Sequence, residues 1–86
     1  MQRRWVVSPD YRALIDALSD VRSQAGISQR ELARRLNKPP SFVNKIEQVE
    51  RRLDLLEFIA IAGAMGFRPE DLIVRLRSAL PDRVDL

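Results

Sequence analysis

Two short helices joined by a tight turn are predicted by residues 27–52, which read ISQRELARRLNKPPSFVNKIEQVERR. Ser28 is followed three residues later by Glu31, the spacing of a capping box in which each side chain satisfies a backbone N–H at the other residue. Ile27 and Leu32 flank this pair at the positions of a hydrophobic staple. These features define the start of the first helix of the stretch, which is helix 2 of the chain.

The turn between the two helices is predicted to be short and stiff. Asn37 stands where a left-handed backbone would end helix 2, and asparagine tolerates that conformation better than most residues. Pro39 disfavours helical geometry at the residue before it, and Pro40 suits a first helical turn. Helix 3 is therefore expected to begin at or near Pro40.

Helix 3 divides into an apolar and a polar side when its residues are placed about 100° apart. Val43 and Ile46 face inward, with Phe42 and Glu47 at the margins. The opposite side carries polar side chains that can reach base edges, namely Ser41, Asn44, Lys45 and Gln48. Any surface helix has a polar face, so this pattern does not decide the function by itself.

Helix 1 is predicted to precede this pair. Ser8 is its N-cap, Pro9 lies in its first turn, and Gly26 stops it near Gln24. Its inward stripe is predicted to consist of Leu14, Leu18, Val21 and Ala25.

Two more helices are predicted to follow. Helix 4 starts at a second capping-box pair, Asp54 with Glu57, and ends at Gly66. It is apolar nearly all round, which places it at the centre of the bundle or against a second subunit. Helix 5 begins at Pro69 and closes before Pro81, and its inward stripe is predicted to be Leu72, Ile73, Leu76 and Leu80.

The sequence thus predicts one all-α domain of five helices over residues 8–80. A length of 86 residues suits a single small domain. Residues 1–7 form an N-terminal arm and residues 81–86 a frayed tail. Trp5 in the arm could dock on the core, pair with a second subunit or lie against DNA.

Composition excludes several functions. The chain has no Cys and no His, which removes disulfides, thiolate and imidazole chemistry, and the common zinc and haem ligand sets. We therefore expect no cofactor and no metal. No apolar run approaches the ~20 residues of a membrane span, and the N-terminus is too short for a signal-peptide core. These features predict a soluble cytoplasmic protein without membrane contact.

Positive charge is concentrated in one part of the chain. Residues 22–52 hold eight Lys and Arg against three Glu, a balance of +5, whereas residues 1–21 balance to 0 and residues 53–86 to −2. The charge coincides with the polar side of helix 3, as binding to nucleic-acid phosphates requires. The alternative interpretation is an ordinary solvated helix face.

Residues 14–73 resemble the Cro/repressor-type (XRE-family) helix-turn-helix domains. The family pattern is approximately L-x-x-x-R-x-x-x-G-[IL]-[ST]-Q-x-E-L-A-x-x-[LI]-G, a short turn, then S-x-[VI]-S-x-[IL]-E-x-G and two further helices. The corresponding residues are Leu18, Arg22, Gly26, Ile27, Ser28, Gln29, Glu31, Leu32, Ala33, Leu36, Asn37, Ser41, Val43, Asn44, Ile46 and Glu47. The resemblance implies a lambda-repressor-like five-helix bundle that binds double-stranded DNA and regulates transcription, as a repressor that is nucleoid-associated when bound.

The resemblance also implies the DNA contacts. Helix 3 would enter the major groove, with Lys45 donating to guanine, Asn44 pairing with adenine, and Phe42 either touching a thymine methyl or packing on helix 2. The residues that would contact bases are Pro40, Ser41, Asn44 and Lys45. The residues that would contact phosphates are Gln29, Lys38, Gln48, Arg51 and Arg52.

The family resemblance implies one ion pair, and the sequence departs from the family pattern at Asn37, Pro40 and Val49. Arg22 would pair with Glu47 and lock helix 3 to helix 1. Asn37 stands where many relatives have glycine, which is a mild change. Pro40 stands where relatives often have a polar residue, so one base contact would be lost or replaced. Val49 stands where most relatives have glycine, and a β-branched residue does not easily take a positive φ. We therefore expect the loop after helix 3 to run differently, which weakens the phosphate assignments there.

Two other functions compete with DNA binding. An enzyme is disfavoured, because the carboxylates fall at helix starts and outer faces without a nucleophile or a phosphate loop. A protein-interaction module such as an antitoxin or adaptor would use the same fold, and Pro40, Val49 and the apolar surplus of helix 4 and of the N-terminal arm favour it. Gln29, the polar side of helix 3 and the basic segment favour DNA. A domain this small reads few base pairs, so we expect a homodimer on a palindromic operator.

Overall fold

Residues 8–86 are described by a computed structural model, and the N-terminal arm lies outside the described residues. Every regular element in this part of the chain is a helix, which confirms the predicted all-α class. The five helices are α1 (Pro9–Gln24), α2 (Gln29–Arg35), α3 (Ser41–Glu47), α4 (Leu55–Ala64) and α5 (Pro69–Arg77). None of the helices in residues 8–86 combines the length and the apolar character that crossing a membrane would demand.

Side-chain caps begin three of the helices, as predicted. The Ser8 hydroxyl accepts from the Tyr11 N–H at 3.1 Å at the start of α1. At the start of α4 the capping box is complete: the Glu57 N–H donates to the Asp54 carboxylate at 2.7 Å, and the Asp54 N–H donates to the Glu57 carboxylate at 3.1 Å. These caps fix where α1 and α4 enter the bundle.

The capping box predicted for α2 is only half formed. The Ser28 hydroxyl accepts from the Glu31 N–H at 3.0 Å, but the Glu31 carboxylate accepts from Arg34 and Arg35 instead of reaching back. The arginines stand three and four residues further on, where one turn of helix brings them to the carboxylate. Their hydrogen bonds lower the pKa of Glu31 to about 2.

Four helices end in the same hydrogen-bonded motif, in which one residue turns left-handed and two N–H groups reach back into the last turn. After α1, for example, the Ile27 N–H donates to the Arg22 carbonyl at 3.2 Å. The left-handed residues that end α1, α2, α3 and α4 are Gly26 (φ 74°), Asn37 (φ 57°), Val49 (φ 59°) and Gly66 (φ 87°).

The expectation that Val49 would divert the loop after α3 is wrong. Val49 takes the left-handed conformation itself, and the Glu50 N–H closes the motif on the Lys45 carbonyl at 2.9 Å. A left-handed conformation costs a non-glycine residue roughly 1–2 kcal/mol. The Val49 side chain is only 6% exposed, and full burial of a valine contributes about 1.5–3 kcal/mol. Burial therefore offsets the strain, and the loop closes compactly.

The core lies where the five helices meet. Two of the predicted inward positions are corrected by the structure. Ile15 is a central residue of α1 that the predicted stripe missed, whereas Ala25 follows the last helical residue and is exposed. On α5 the buried stripe is Leu72 and Leu76, and Ile73, one residue out of that stripe, is half exposed. The largest fully buried side chains are Ile15, Leu32, Ile46 and Leu72.

Helix α4 is not enclosed by the bundle. Ile61 and Ala62 are buried, but Leu55 and Leu56 at its start are 70% and 74% exposed and Ile59 is 44% exposed. The predicted position of α4 at the centre of the bundle is therefore wrong, and the alternative, a position against a second subunit, stays a prediction. One apolar side of α4 remains on the surface.

The C-terminal tail, predicted to be frayed, is hydrogen-bonded to the domain. The Asp85 N–H donates to the Asp10 carboxylate at 2.7 Å. The Arg77 guanidinium donates to the carbonyls of Leu80, Pro81 and Asp82. Residues 81–86 therefore fold back toward the start of α1.

Candidate nucleic-acid interface

Helix α3 presents its polar side to solvent, as the sequence pattern predicted. Val43 and Ile46 are 3% and 1% exposed and anchor the helix in the core. The exposed residues are the predicted base-contacting residues together with Gln48, namely Pro40, Ser41, Asn44, Lys45 and Gln48. This side is free of the bundle and available to a large ligand.

Arg22 and Glu47, the pair implied by the resemblance, form a bidentate ion pair between α1 and α3. Arg22 Nε donates to Glu47 Oε2 at 2.7 Å and Arg22 Nη2 donates to Glu47 Oε1 at 3.0 Å. The same guanidinium donates from Nη1 to the Ile27 carbonyl at 2.7 Å. The two side chains are only 13% and 9% exposed. Arg22 thus ties α3 to α1 and to the loop between α1 and α2.

Two further side chains complete this network, and neither was predicted as part of it. Gln29 Nε2 donates to Glu47 Oε1 at 2.8 Å and the Ser19 hydroxyl donates to the same oxygen at 3.1 Å. Ser19 stands three residues before Arg22, on the same face of α1, which is the sequence signal that could have identified it. For Gln29, assigned only to a phosphate, no local spacing indicates a partner on α3.

The charge of Glu47 is stabilised by this network. Burial alone would raise the pKa of the Glu47 carboxyl, but the hydrogen bonds from Arg22, Gln29 and Ser19 outweigh burial and lower it. Glu47 is therefore ionised at neutral pH, and α3 is held by charge-assisted hydrogen bonds to both neighbouring helices. Such a connection orients the exposed side of α3 rigidly.

The predicted phosphate-contacting cations lie at both ends of α3. Lys38 is in the turn before it and Arg51 and Arg52 are in the loop after it. The Arg52 guanidinium lies 4.5 Å from the centroid of the Tyr11 ring, and the Tyr11 hydroxyl accepts from the Leu53 N–H at 3.0 Å. The loop after α3 is therefore fastened to α1.

Arg51 has a partner that the sequence did not reveal. Its guanidinium forms an ion pair with Glu57 on α4 and lies 4.9 Å from the centroid of the Phe42 ring. The hydrogen bond from Arg51 is the main cause that lowers the pKa of Glu57. The predicted phosphate contact at Arg51 is thus already engaged with an anion of the same chain.

Metal ligation receives no support from the geometry of the domain. Across residues 8–86, no three His, Cys, Asp or Glu side chains are grouped so that they could hold an ion. The carboxylates of the site have structural partners instead: Glu47 binds Arg22, and Glu57 binds Arg51.

Comparison with known proteins identifies the fold and the family. A helix-turn-helix family profile matches residues 18–72. The solved structure of an XRE-family like protein from Pseudomonas syringae pv. tomato str. DC3000 is similar with a TM-score of 0.73 and 47% sequence identity, over 84% of this chain and 88% of that chain. The structure of the clp gene regulator ClgR from C. glutamicum shares the fold, with a TM-score of 0.73 and 22% identity, over 88% of this chain and 100% of that chain. No curated protein matches the sequence. The chain belongs to the XRE family of helix-turn-helix DNA-binding transcription regulators.

Proposed function

We propose that the protein is a sequence-specific transcriptional repressor that reads the major groove of double-stranded DNA with α3, as a homodimer on a palindromic operator. The observation that carries this proposal is the exposed polar side of α3, held at fixed orientation by the Arg22–Glu47–Gln29 network within the segment of +5 charge. A dimer covering its operator would exclude other proteins from it, which makes repression the simplest outcome. Such a regulator acts in the cytoplasm, on the nucleoid when bound.

Base recognition is assigned to the exposed residues of α3. Lys45 would donate to guanine O6 and N7, and the Asn44 amide would pair with adenine N6 and N7, the pairings that discriminate base pairs in the major groove. Ser41 can donate or accept, and Pro40 would offer an apolar contact to a thymine methyl. All four side chains are exposed in the domain.

Phosphate contacts are assigned to residues around α3. Gln29 uses one N–H of its amide on Glu47, which leaves the second N–H for a phosphate oxygen. The other proposed phosphate contacts are Lys38, Gln48, Arg51 and Arg52. Contacts of this kind set the register on the duplex and carry no sequence information.

The dimer is supported by an apolar surface on α4 and α5. Its exposed residues are Leu55, Leu56, Ile59, Ile73 and Val74. Leu55 and Ile73 also line an apolar groove of about 380 Å³ between α1, α4 and α5. Exposed large apolar side chains beside an apolar groove favour an interaction site there. Two reading helices would meet half-sites about one turn of DNA, ~34 Å, apart.

The same apolar surface favours a second candidate function. A protein-interaction module such as an antitoxin or adaptor would bury the exposed side of α4 and α5 against another protein. In that case α3 would have no ligand on its polar side. Substitution of residues on the polar side of α3 therefore weakens or alters ligand binding only if the protein binds DNA.

Lys45→Ala and Gln29→Ala are expected to affect DNA binding in different ways. Loss of Lys45 removes a base contact worth about 1–3 kcal/mol and relaxes the preference at that base pair. Loss of Gln29 removes a phosphate contact and one bond to Glu47, so binding to all sequences weakens alike. Competition binding of each variant against a panel of single base-pair changes in the preferred duplex measures both effects.

The pattern across the panel decides between the assignments. Uniform weakening by Lys45→Ala together with altered preference by Gln29→Ala would show that α3 is not the reading helix. Ser78→Ala is a suitable control, because this hydroxyl donates to the Arg75 carbonyl at the end of α5 and should leave affinity and preference unchanged.

A further inference from the structure

Lys38 and Arg51, from opposite ends of α3, share one aromatic ring. Lys38 Nζ lies 5.5 Å and Arg51 Cζ lies 4.9 Å from the centroid of the Phe42 ring. Attraction between a cation and the face of an aromatic ring holds both groups near Phe42. Two positive charges are thereby gathered beside the helix that is proposed to read DNA.

An anion of the chain itself occupies this place. Glu57 accepts from Arg51 Nη1 through Oε1 at 2.8 Å and from Nη2 through Oε2. Arginine binds carboxylates and phosphates with this same forked geometry. The hydrogen bond from Arg51 is the largest cause that lowers the pKa of Glu57, and the charge of Lys38 lowers it further. Glu57 is therefore ionised at neutral pH and lies within electrostatic reach of both cations.

The position of this carboxylate is fixed by α4 rather than by Arg51 alone. Glu57 is the third residue of α4, and its side chain caps the helix by accepting from the Asp54 N–H at 3.1 Å. The Arg51 and Glu57 side chains are 40% and 21% exposed, so a ligand at the surface can reach the pair. Arg51 and Lys38 thus form an anion-binding site at the edge of the candidate interface, and Glu57 is the anion that occupies it.

We propose that Glu57 occupies the anion position of a phosphate-binding site formed by Lys38, Phe42 and Arg51, and competes there with a phosphate of the DNA backbone. The inference rests on the proposed function. Arg51 can bind a phosphate only if it releases Glu57 or binds both anions at once. Glu57 therefore reduces the number of counterions that DNA binding releases. Glu57 would thus lower the affinity for all sequences alike, because phosphate contacts carry no sequence information.

Glu57→Gln tests this competition while preserving the helix cap. Glutamine can take the same position in a capping box, so the variant loses the charge and keeps an acceptor for the Asp54 N–H. We expect it to bind a generic duplex about tenfold more tightly at low salt. The slope of log K against log salt should become more negative by about 0.9, as for one added phosphate contact. Fluorescence anisotropy at several salt concentrations measures both quantities.

Two further variants separate the site from a general effect of charge. Glu70→Gln removes a carboxylate that also pairs with an arginine, Arg68, at 2.7 Å, but on α5, and it should change affinity by less than about twofold. In an Arg51→Gln background, Glu57→Gln should lose most of its tenfold gain. A gain as large in Glu70→Gln, or one that persists without Arg51, would overturn the inference.

Inorganic phosphate provides a test that does not depend on DNA. A ligand that binds only the folded state raises the unfolding temperature. At constant ionic strength, phosphate should stabilise the Glu57→Gln chain more than the wild type. If the wild type binds duplex DNA but Glu57→Gln binds it no more tightly, the inference is overturned and the proposed function stands. If the wild type binds no duplex at low salt, the proposed function fails, and equal stabilisation of both chains by phosphate then overturns the inference as well.

Discussion

Replacing Arg22 with alanine is expected to lower the free energy of unfolding by about 3–5 kcal/mol, because it leaves the buried charge of Glu47 without its cationic partner. Glu47 is 9% exposed and would lose both bonds of its bidentate pair. The Ile27 carbonyl would lose its donor as well. The remaining bonds from Ser19 and Gln29 are neutral donors, which stabilise a carboxylate less than a guanidinium does.

Chemical denaturation of the wild type and three variants measures this effect. Arg68→Ala is the control, because Arg68 pairs with Glu70 at 2.7 Å with side chains 78% and 61% exposed and lies outside this network. Exposed pairs of this kind contribute about 0.2–1 kcal/mol. Arg22→Lys keeps the charge but not the bidentate geometry of the guanidinium. Its free energy of unfolding should therefore lie between those of Arg22→Ala and the control. An Arg22→Ala chain as stable as Arg68→Ala would contradict the role assigned to the pair of Arg22 with Glu47.

The affinity for a generic duplex is expected to fall about 250- to 1,000-fold per subunit between 50 and 200 mM salt. This corresponds to a slope of log K against log salt of about −4 to −5, from about five neutralised phosphates. The basis is the balance of +5 in residues 22–52. Part of this charge is engaged within the domain, as the pairs of Arg22 with Glu47 and of Arg51 with Glu57 show.

A titration of duplex DNA at four or more salt concentrations measures the slope. Lys38→Ala should reduce its magnitude by about 0.9, because one phosphate contact is lost. Arg83→Ala, in the C-terminal tail, removes the same charge away from α3 and should leave the slope unchanged. A flat salt response, or no binding at low salt, would favour the protein-interaction function.

The features that could be predicted from the sequence are those with local causes. Ser8, Asp54 and the left-handed Asn37 are each specified by residues within one turn, and all three behave as predicted. The wheel position of α3 residues follows from helix geometry alone, so the buried Ile46 and the exposed Lys45 were predicted correctly.

The features that escaped prediction depend on which groups meet in space. Glu31 had candidate partners on both sides at helical spacing, and charge favours the guanidinium groups of Arg34 and Arg35 over the backbone N–H of Ser28. Val49 was judged by its backbone preference, but burial of its side chain decided its conformation. The partners of Gln29 and Arg51 lie on other helices, which no local pattern indicates.

The most direct test of sequence-specific reading by α3 is selection of bound sequences from a random duplex pool. We expect enrichment of a palindromic motif whose half-sites are centred about 10–10.5 base pairs apart, with the preference at one position lost in the Lys45→Ala chain. A pool that remains random after selection by the wild type, or a motif that Lys45→Ala leaves unchanged, would contradict sequence-specific reading by α3.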